Sequence, residues 1–158
     1  MDKFQILPHL AALAAAYALA LPIGWDRERQ ERSAGLRTFP LVALASCGFV
    51  QAAEQYMANS PDAMARIIQG VITGIGFIGG GAILKQGSMV KGTATAASLW
   101  ATGAVGAAVG LGSYDVAVVI AAFTFVTLRV VTPLENSVLL DDDLRANKDS
   151  RVNKDPSS

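Results

Sequence analysis

The sequence lacks the side chains from which most enzyme and metal centres are built. It contains one cysteine, Cys47, and one histidine, His9, in 158 residues. One cysteine excludes an internal disulfide and a cysteine-rich zinc site, and one histidine weakens most metal and acid–base schemes. No Ser–His–Asp or Cys–His set is available for nucleophilic catalysis. The sequence therefore predicts a protein that is not an enzyme.

Charge is also scarce. Thirteen lysines and arginines balance thirteen aspartates and glutamates, so the formal net charge is zero, which removes the basic surface of a nucleic-acid-binding protein. Charged residues make up 16% of the chain, against ~25% in soluble domains. Hydrophobic residues reach 52% but aromatic residues only 7%, so the apolar content is mainly small and aliphatic. This composition indicates a chain surrounded by lipid.

Five stretches of the chain contain no Lys, Arg, Asp or Glu. A helix needs ~20 mainly apolar residues to cross a bilayer, and the two shorter stretches can extend through Arg37 and Arg129, whose long side chains reach the headgroups. We therefore expect an all-α, polytopic membrane protein with a bundle of about five transmembrane helices in residues 1–134. A polar, disordered cytoplasmic tail is expected at 135–158. The stretches are 6–25, 38–53, 67–84, 92–114 and 116–128. Within them we expect the first span at about 6–24 and the fourth at 93–110, with an inner loop at 85–92.

The positive charges fall on one side of the membrane if the five spans alternate. The opposite side receives only Lys3 and Arg66, and an excess of lysine and arginine in short loops marks the cytoplasmic face. The N-terminus is therefore expected outside and the C-terminus inside. The sequence at 18–20 resembles a signal-peptidase site, but cleavage there would export the arginines that follow. The lysines and arginines expected on the inner side are Arg27, Arg29, Arg32, Arg37, Lys85, Lys91, Arg129, Arg145, Lys148, Arg151 and Lys154.

Glycines in the third and fourth spans recur at intervals of four. The segment 74–79 matches the G-x-G-x-x-G nucleotide fingerprint, but that motif needs a preceding strand and a later acidic residue. Glycines spaced by four instead let helix backbones approach closely, although unwound backbone lining a cavity is an alternative. The predicted packing glycines are Gly70, Gly74, Gly76, Gly79, Gly80, Gly106 and Gly110.

The fourth span carries a polar face. Thr95, Ser98 and Thr102 lie at offsets of three or four and so share one side of a helix, with Trp100 nearby as an aromatic anchor at the inner membrane interface. Such faces usually meet another helix. A permeation path is the alternative, and the lack of Asp, Glu or His in spans two to four counts against it. Backbone carbonyls can nevertheless coordinate ions.

A run of alternating charges follows the first span. Three carboxylates could hold magnesium, but three interleaved arginines neutralise them, so no cofactor is expected and magnesium has no ligand cluster to support it. A solvated charge network or a docking surface fits better. Arg37 is expected to pair with Asp26 or Glu28, because a buried charge is costly unless paired, and Lys91 with the remaining carboxylate. The predicted inner cluster is Asp26, Arg27, Glu28, Arg29, Arg37 and Lys91.

Three segments in series resemble the signatures of the MgtC/SapB membrane-protein family. Residues 24–29 (GWDRER), continued by 34–38 (AGLRT), resemble the first signature; 74–81 (GIGFIGGG) resembles the second and 92–101 (GTATAASLWA) the third. Asp26 stands where the family usually has Glu, and Phe39 where His is expected. The resemblance implies a multi-pass protein of the bacterial inner membrane with about five helices.

The resemblance also implies a function. Family members are linked to growth at low magnesium, to acid tolerance and to survival of pathogens inside host cells. The founding branch is described as a regulator of other membrane complexes, including the F-type ATP synthase. Members of that branch carry a cytoplasmic C-terminal domain, whereas we expect a short tail in this chain. The leading hypothesis is a non-enzymatic regulator that binds a partner complex. The alternatives are a magnesium or other ion transporter and a homo-oligomeric scaffold.

Overall fold

A computed structural model describes residues 6–57, 60–86 and 89–131. The polar tail expected at 135–158 lies outside these residues, so its disorder stays a prediction. Helices account for nearly all of the described chain, with one short β-hairpin between the third and fourth. The elements are α1 (Ile6–Arg29), α2 (Thr38–Met57), α3 (Pro61–Gly81), β1 (Leu84–Gln86), β2 (Met89–Lys91), α4 (Thr93–Gly110) and α5 (Tyr114–Val131).

The lengths of these helices confirm the all-α membrane architecture. Within the described residues, α1, α3 and α5 are long and apolar enough to cross a bilayer, and Thr38–Glu54 of α2 forms a shorter apolar helix. The fourth helix begins and ends where the sequence predicts, at 93 and 110. The chain is an α-helical membrane protein.

The other helix ends differ from the prediction for identifiable reasons. Helix α1 continues through the charged run to Arg29 instead of ending near 24, because good helix-forming side chains follow Trp25. Helix α3 begins at Pro61, six residues before the charge-free stretch, since proline suits the first turn of a helix. The segment predicted as an inner loop at 85–92 contains the hairpin, in which Lys85 pairs with Val90.

Helix α4 packs against α1, α2 and α3. Its glycines allow this. A Cβ added to Gly106 would overlap the carbonyl oxygen of Ala43 in α2, and one added to Gly110 would lie 2.8 Å from the Cβ of Val50. Gly103, which the sequence analysis did not select, faces the end of the Ile75 side chain of α3, which would have to move to admit a Cβ there. Close helix–helix approach is thus concentrated on α4.

The glycines of α3 divide into two groups. Only Ile75 and Gly79 of this helix are buried, and a Cβ on Gly79 would lie 3.3 Å from the carbonyl oxygen of Ala96. The prediction of close helix packing inside this chain is wrong for Gly70, Gly74, Gly76 and Gly80. Apart from the helix backbone and the adjacent residues, no described atom lies within 4 Å of a Cβ built at any of these positions. The physical reason is that α3 turns a single narrow stripe toward α4.

Residues as far as Phe125 form one compact unit. A second begins at Val126, and its described part, as far as Val131, is the C-terminal portion of α5.

Candidate functional site

The last turns of α1 contain a buried ion pair. The Arg27 side chain is 1% exposed, and its Nη2 lies 2.8 Å from Asp26 Oδ2. Gln30 joins both partners: its Oε1 accepts a 3.0 Å hydrogen bond from Arg27, and its Nε2 donates one of 2.8 Å to Asp26. We call Asp26, Arg27 and Gln30 the buried triad. It satisfies much of the hydrogen-bonding capacity of two charges withdrawn from solvent.

A signal in the sequence could have identified Arg27 as buried. Alanines 12, 16 and 20 form the buried stripe of α1, and Ile23 and Arg27 extend it at helical spacing. The charge of Arg27 hides this continuity when residues are sorted only by polarity. Gln30 could likewise have been found, because it stands four residues after Asp26 and so lies on the same helix face.

Glu28 fastens the loop that follows α1. Its Oε2 accepts a 3.0 Å hydrogen bond from the backbone N–H of Leu36. The carboxylate occupies the space that a side chain on Gly35 would need, which explains the glycine there. Glu28 is therefore a structural clamp between α1 and the start of α2.

The expected pairing of Arg37 with Asp26 or Glu28 is wrong. Arg37 is exposed and forms no ion pair with any described residue. Asp26 is bound by the neighbouring Arg27, and Glu28 accepts from a backbone amide, so neither carboxylate turns toward Arg37. Its guanidinium is left available to headgroups or to a partner.

Arg29 lies on the exposed side of α1. Its guanidinium carbon is 5.8 Å from the centroid of the Trp25 ring, within the range of a cation–π interaction. More than half of the Trp25 side chain is exposed, as suits a ring at a membrane–water interface.

The loop after α1 meets the hairpin at a small polar cavity. The Ser33 hydroxyl lies 3.4 Å from the carbonyl oxygen of Ala82, and a cavity of about 140 Å³ opens between the two segments. This contact supports the prediction that both loops lie on one side of the membrane. We call this space the loop cavity; its lining residues are Glu31, Arg32, Ser33, Ala82, Leu84, Lys91, Gly92 and Thr95.

Lys91 belongs to the loop cavity and not to the buried triad. The prediction that it binds the carboxylate of Asp26 or Glu28 is wrong, because the hairpin carries it to the cavity beside Glu31 and Arg32. Gly92 follows with a φ of 93°, a conformation that favours glycine. A side chain there would also overlap the Ala82 carbonyl, so Gly92 fixes how the hairpin enters α4.

The polar face of α4 is buried and mostly satisfied by its own helix. Ser98 donates a 2.9 Å hydrogen bond to the Thr95 carbonyl, and Thr102 donates one of 2.8 Å to the Ser98 carbonyl. The O–H donors of Ser98 and Thr102 are therefore both used within α4. The prediction that Trp100 belongs to the same polar face as Thr95 is wrong. Five residues separate the two, which turns Trp100 to another side of the helix, and it is 52% exposed.

An apolar groove of about 440 Å³ runs between α2 and α3. Gly70 and Gly74 line it together with Phe49 and Ile78, and Arg66 lies at one end. Two of the five open glycines of α3 thus face this groove. The described residues contain no group of three His, Cys, Asp or Glu side chains placed to hold a metal ion.

Comparison with known proteins identifies the family. The sequence model of the MgtC family matches residues 13–137. The chain belongs to the MgtC family. It is 38% identical to Protein MgtC of Salmonella typhimurium over 72% of this chain and 48% of that protein. It is 38% identical to Protein MgtC of Brucella abortus over 81% of this chain and 53% of that protein.

A further family relative is nearer to this chain in length. Protein SrpB of Synechococcus elongatus is 38% identical over 73% of this chain and 70% of that protein. The chain spans about half the length of the MgtC proteins that it matches. No solved structure matches it.

The segments that resemble MgtC signatures converge in the fold. The first signature contains the buried triad and Glu28. A Cβ built on its Gly24 would lie 3.2 Å from the Cβ of Phe39. The second includes Gly79, which packs on Ala96 of the third. The third also supplies Gly92 and Thr95 to the loop cavity. The site of this MgtC-family protein is thus an end of the bundle where α1, α2, α3 and α4 meet their loops.

Proposed function

We propose that this MgtC-family protein is a non-enzymatic regulator in the bacterial inner membrane that binds another membrane complex through α3. The observation that carries the proposal is the open face of α3: Thr73, Gly76 and Gly80. These residues recur at offsets of three and four and so lie on one side of the helix. No described neighbour comes within 4 Å of a Cβ built on either glycine.

Residues of this kind are typical of contacts between membrane helices. Without a hydrophobic force between helices in lipid, association depends on close backbone packing and interhelical hydrogen bonds, which small and hydroxylated residues allow. Thr73 is exposed, with its hydroxyl donating 2.8 Å to the Gln69 carbonyl. Facing lipid, two glycines contribute little contact; facing a partner helix, they permit a short interaxial distance. We therefore assign this face to a partner.

The charged end of the bundle supplies a second contact. Arg29 and Arg37 are exposed, and the distribution of positive charge along the sequence predicts that they lie on the cytoplasmic side. They are available to acidic groups on the inner surface of a partner complex. The family resemblance supports the F-type ATP synthase as the first candidate partner, and adaptation to low magnesium, acid or host-cell stress as the setting.

The proposal is tested by co-purification in mild detergent, with mass spectrometry of the captured membrane proteins. Gly76→Leu combined with Gly80→Leu should fill the open face and remove ATP synthase subunits from the captured set. Gly81→Leu is the matched control, because Gly81 is also open but lies about 100° around the helix from Gly80. Capture of the same subunits by all three chains would overturn the assignment of this face.

A separate measurement distinguishes a regulator from an ion transporter. The purified protein in liposomes should produce no magnesium flux when no partner is present. Flux that depends on the protein alone would overturn the regulatory proposal and favour an ion pathway.

A further inference from the structure

We propose that the loop cavity binds a phosphate-type oxyanion on the cytoplasmic side of this protein. The inference is independent of any partner of α3. It rests on the start of α4, on one buried hydroxyl, on the local charge and on the size of the cavity.

The first turn of α4 presents unused backbone donors to the cavity. Helix α4 begins after Gly92, which provides no side-chain cap. The Ala96 N–H bonds to the Gly92 carbonyl, whereas the amides that precede Ala96 in the first turn have no carbonyl partner within the helix. These donors and the positive end of the helix dipole favour an anion.

Thr95 supplies the second, independent observation. Its side chain is 1% exposed and lines the cavity. The hydroxyls of Ser98 and Thr102 donate to carbonyls one turn back, but that of Thr95 forms no hydrogen bond with any described residue. Among the described residues, Arg27 Nε is the only fully enclosed side-chain N or O atom without a partner, so the unbonded Thr95 hydroxyl is open to the cavity that its side chain lines. An oxyanion in the cavity would accept from it.

The charges at the cavity also favour an anion. Arg32 and Lys91 oppose one carboxylate, Glu31, which leaves one net positive charge. Arginine can bind phosphate with two parallel hydrogen bonds. Lys85 is not among the lining residues, because it follows Leu84 on the strand and so points to the opposite face of the hairpin.

The size of the cavity admits a phosphate group. Its volume is about 140 Å³. Because the heavy atoms of phosphate are held at bonding distance from one another, the ion is compact enough to fit within this space. The phosphate could be free inorganic phosphate or the headgroup of an anionic lipid.

The test is calorimetric titration of the purified full chain with inorganic phosphate in a neutral detergent without lipid. Arg32→Gln and Thr95→Val should each weaken binding about tenfold, the scale of one hydrogen bond to a charged group. Lys85→Gln and Ser98→Ala are the controls and should bind as the unmodified chain does. Arg32 is exposed, so its replacement should leave the fold intact even if Thr95→Val does not.

A second arm distinguishes the two sources. Neutral phosphatidylcholine vesicles containing phosphatidic acid are compared with vesicles lacking it, using protection of Lys91 from an amine reagent, with Lys85 as the internal reference. Saturable binding of inorganic phosphate identifies a free anion, and protection only with phosphatidic acid identifies a headgroup. Absence of both, or equal affinity in the Arg32→Gln chain, would overturn the proposal.

Discussion

Arg27 and Arg37, which the sequence analysis places in one charged cluster, have opposite environments in the structure. Arg27 is buried and paired, whereas Arg37 is exposed and unpaired among the described residues. The difference comes from helix phase. Because α1 continues to Arg29, Arg27 falls on its buried stripe, while Arg37 comes after the loop and just before α2. Position on a helix, and not residue type, decides which arginine is structural.

Arg27→Met should therefore destabilise the protein strongly. The substitution removes the Arg27 guanidinium from the buried Asp26 carboxylate, and removing one partner of a buried ion pair typically costs ~3–5 kcal/mol. Thermal unfolding in detergent, followed by circular dichroism, measures the effect. Arg37→Met is the matched control and should change stability by no more than about 0.5 kcal/mol, as surface substitutions usually do.

The double variant Asp26→Asn with Arg27→Met separates the pair from the packing of Arg27. It should be more stable than Arg27→Met alone, because no uncompensated charge remains. If the single and double variants were equally stable, the loss of stability in Arg27→Met would not come from the charge of the Asp26 carboxylate.

At the scale of elements, the sequence predicted α4 well and α3 only in part. The charge-free stretch 92–114 is longer than α4. Gly92 just before the helix, and Gly110 and Gly112 at its other end, indicate the limits within that stretch. The glycine spacing in α3 could not show which glycines meet another helix, because four-residue intervals occur on several sides of it. The hairpin was missed since three-residue strands are too short to carry an alternating pattern.

The two kinds of glycine should respond differently to the same substitution. Gly106→Ala places a methyl group against the Ala43 carbonyl; backbone cannot rotate away, so α2 and α4 must separate, at a cost of ~1–3 kcal/mol. Gly76→Ala meets nothing within 4 Å among the described residues and should stabilise the helix by ~0.5–1 kcal/mol, since alanine loses less conformational entropy. Thermal unfolding in detergent compares them.

The comparison is decisive because the two substitutions add the same atoms. A loss of stability for Gly76→Ala as large as that for Gly106→Ala would mean that α3 packs within the chain in a way the structure does not show. Equal stability of Gly106→Ala and the unmodified chain would contradict the close contact of α2 with α4.

For the whole molecule, the distribution of charge and the fold agree on a shared end. The loop after α1 and the hairpin before α4 carry the arginines and lysines that predict the cytoplasmic side, and Ser33 and Ala82 bring these segments into contact. Sequence alone predicted that they share a side, because alternating spans require it. It could not predict the cavity between them, which depends on the hairpin and on the positive φ of Gly92.

This orientation predicts a pattern of chemical labelling in intact cells. In a chain with Cys47→Ala, a cysteine placed at Ser60 should react with a membrane-impermeant maleimide applied from the periplasm. A cysteine placed at Lys85 should react only after the cells are opened. Both positions are exposed and stand at opposite ends of α3, whose 21 residues span about 32 Å at 1.5 Å per residue. The two labels therefore report opposite faces of one membrane-crossing helix. Labelling of position 85 in intact cells, with protection of position 60, would show that the orientation is the reverse of the predicted one. The loop cavity and the exposed arginines would then lie on the periplasmic side.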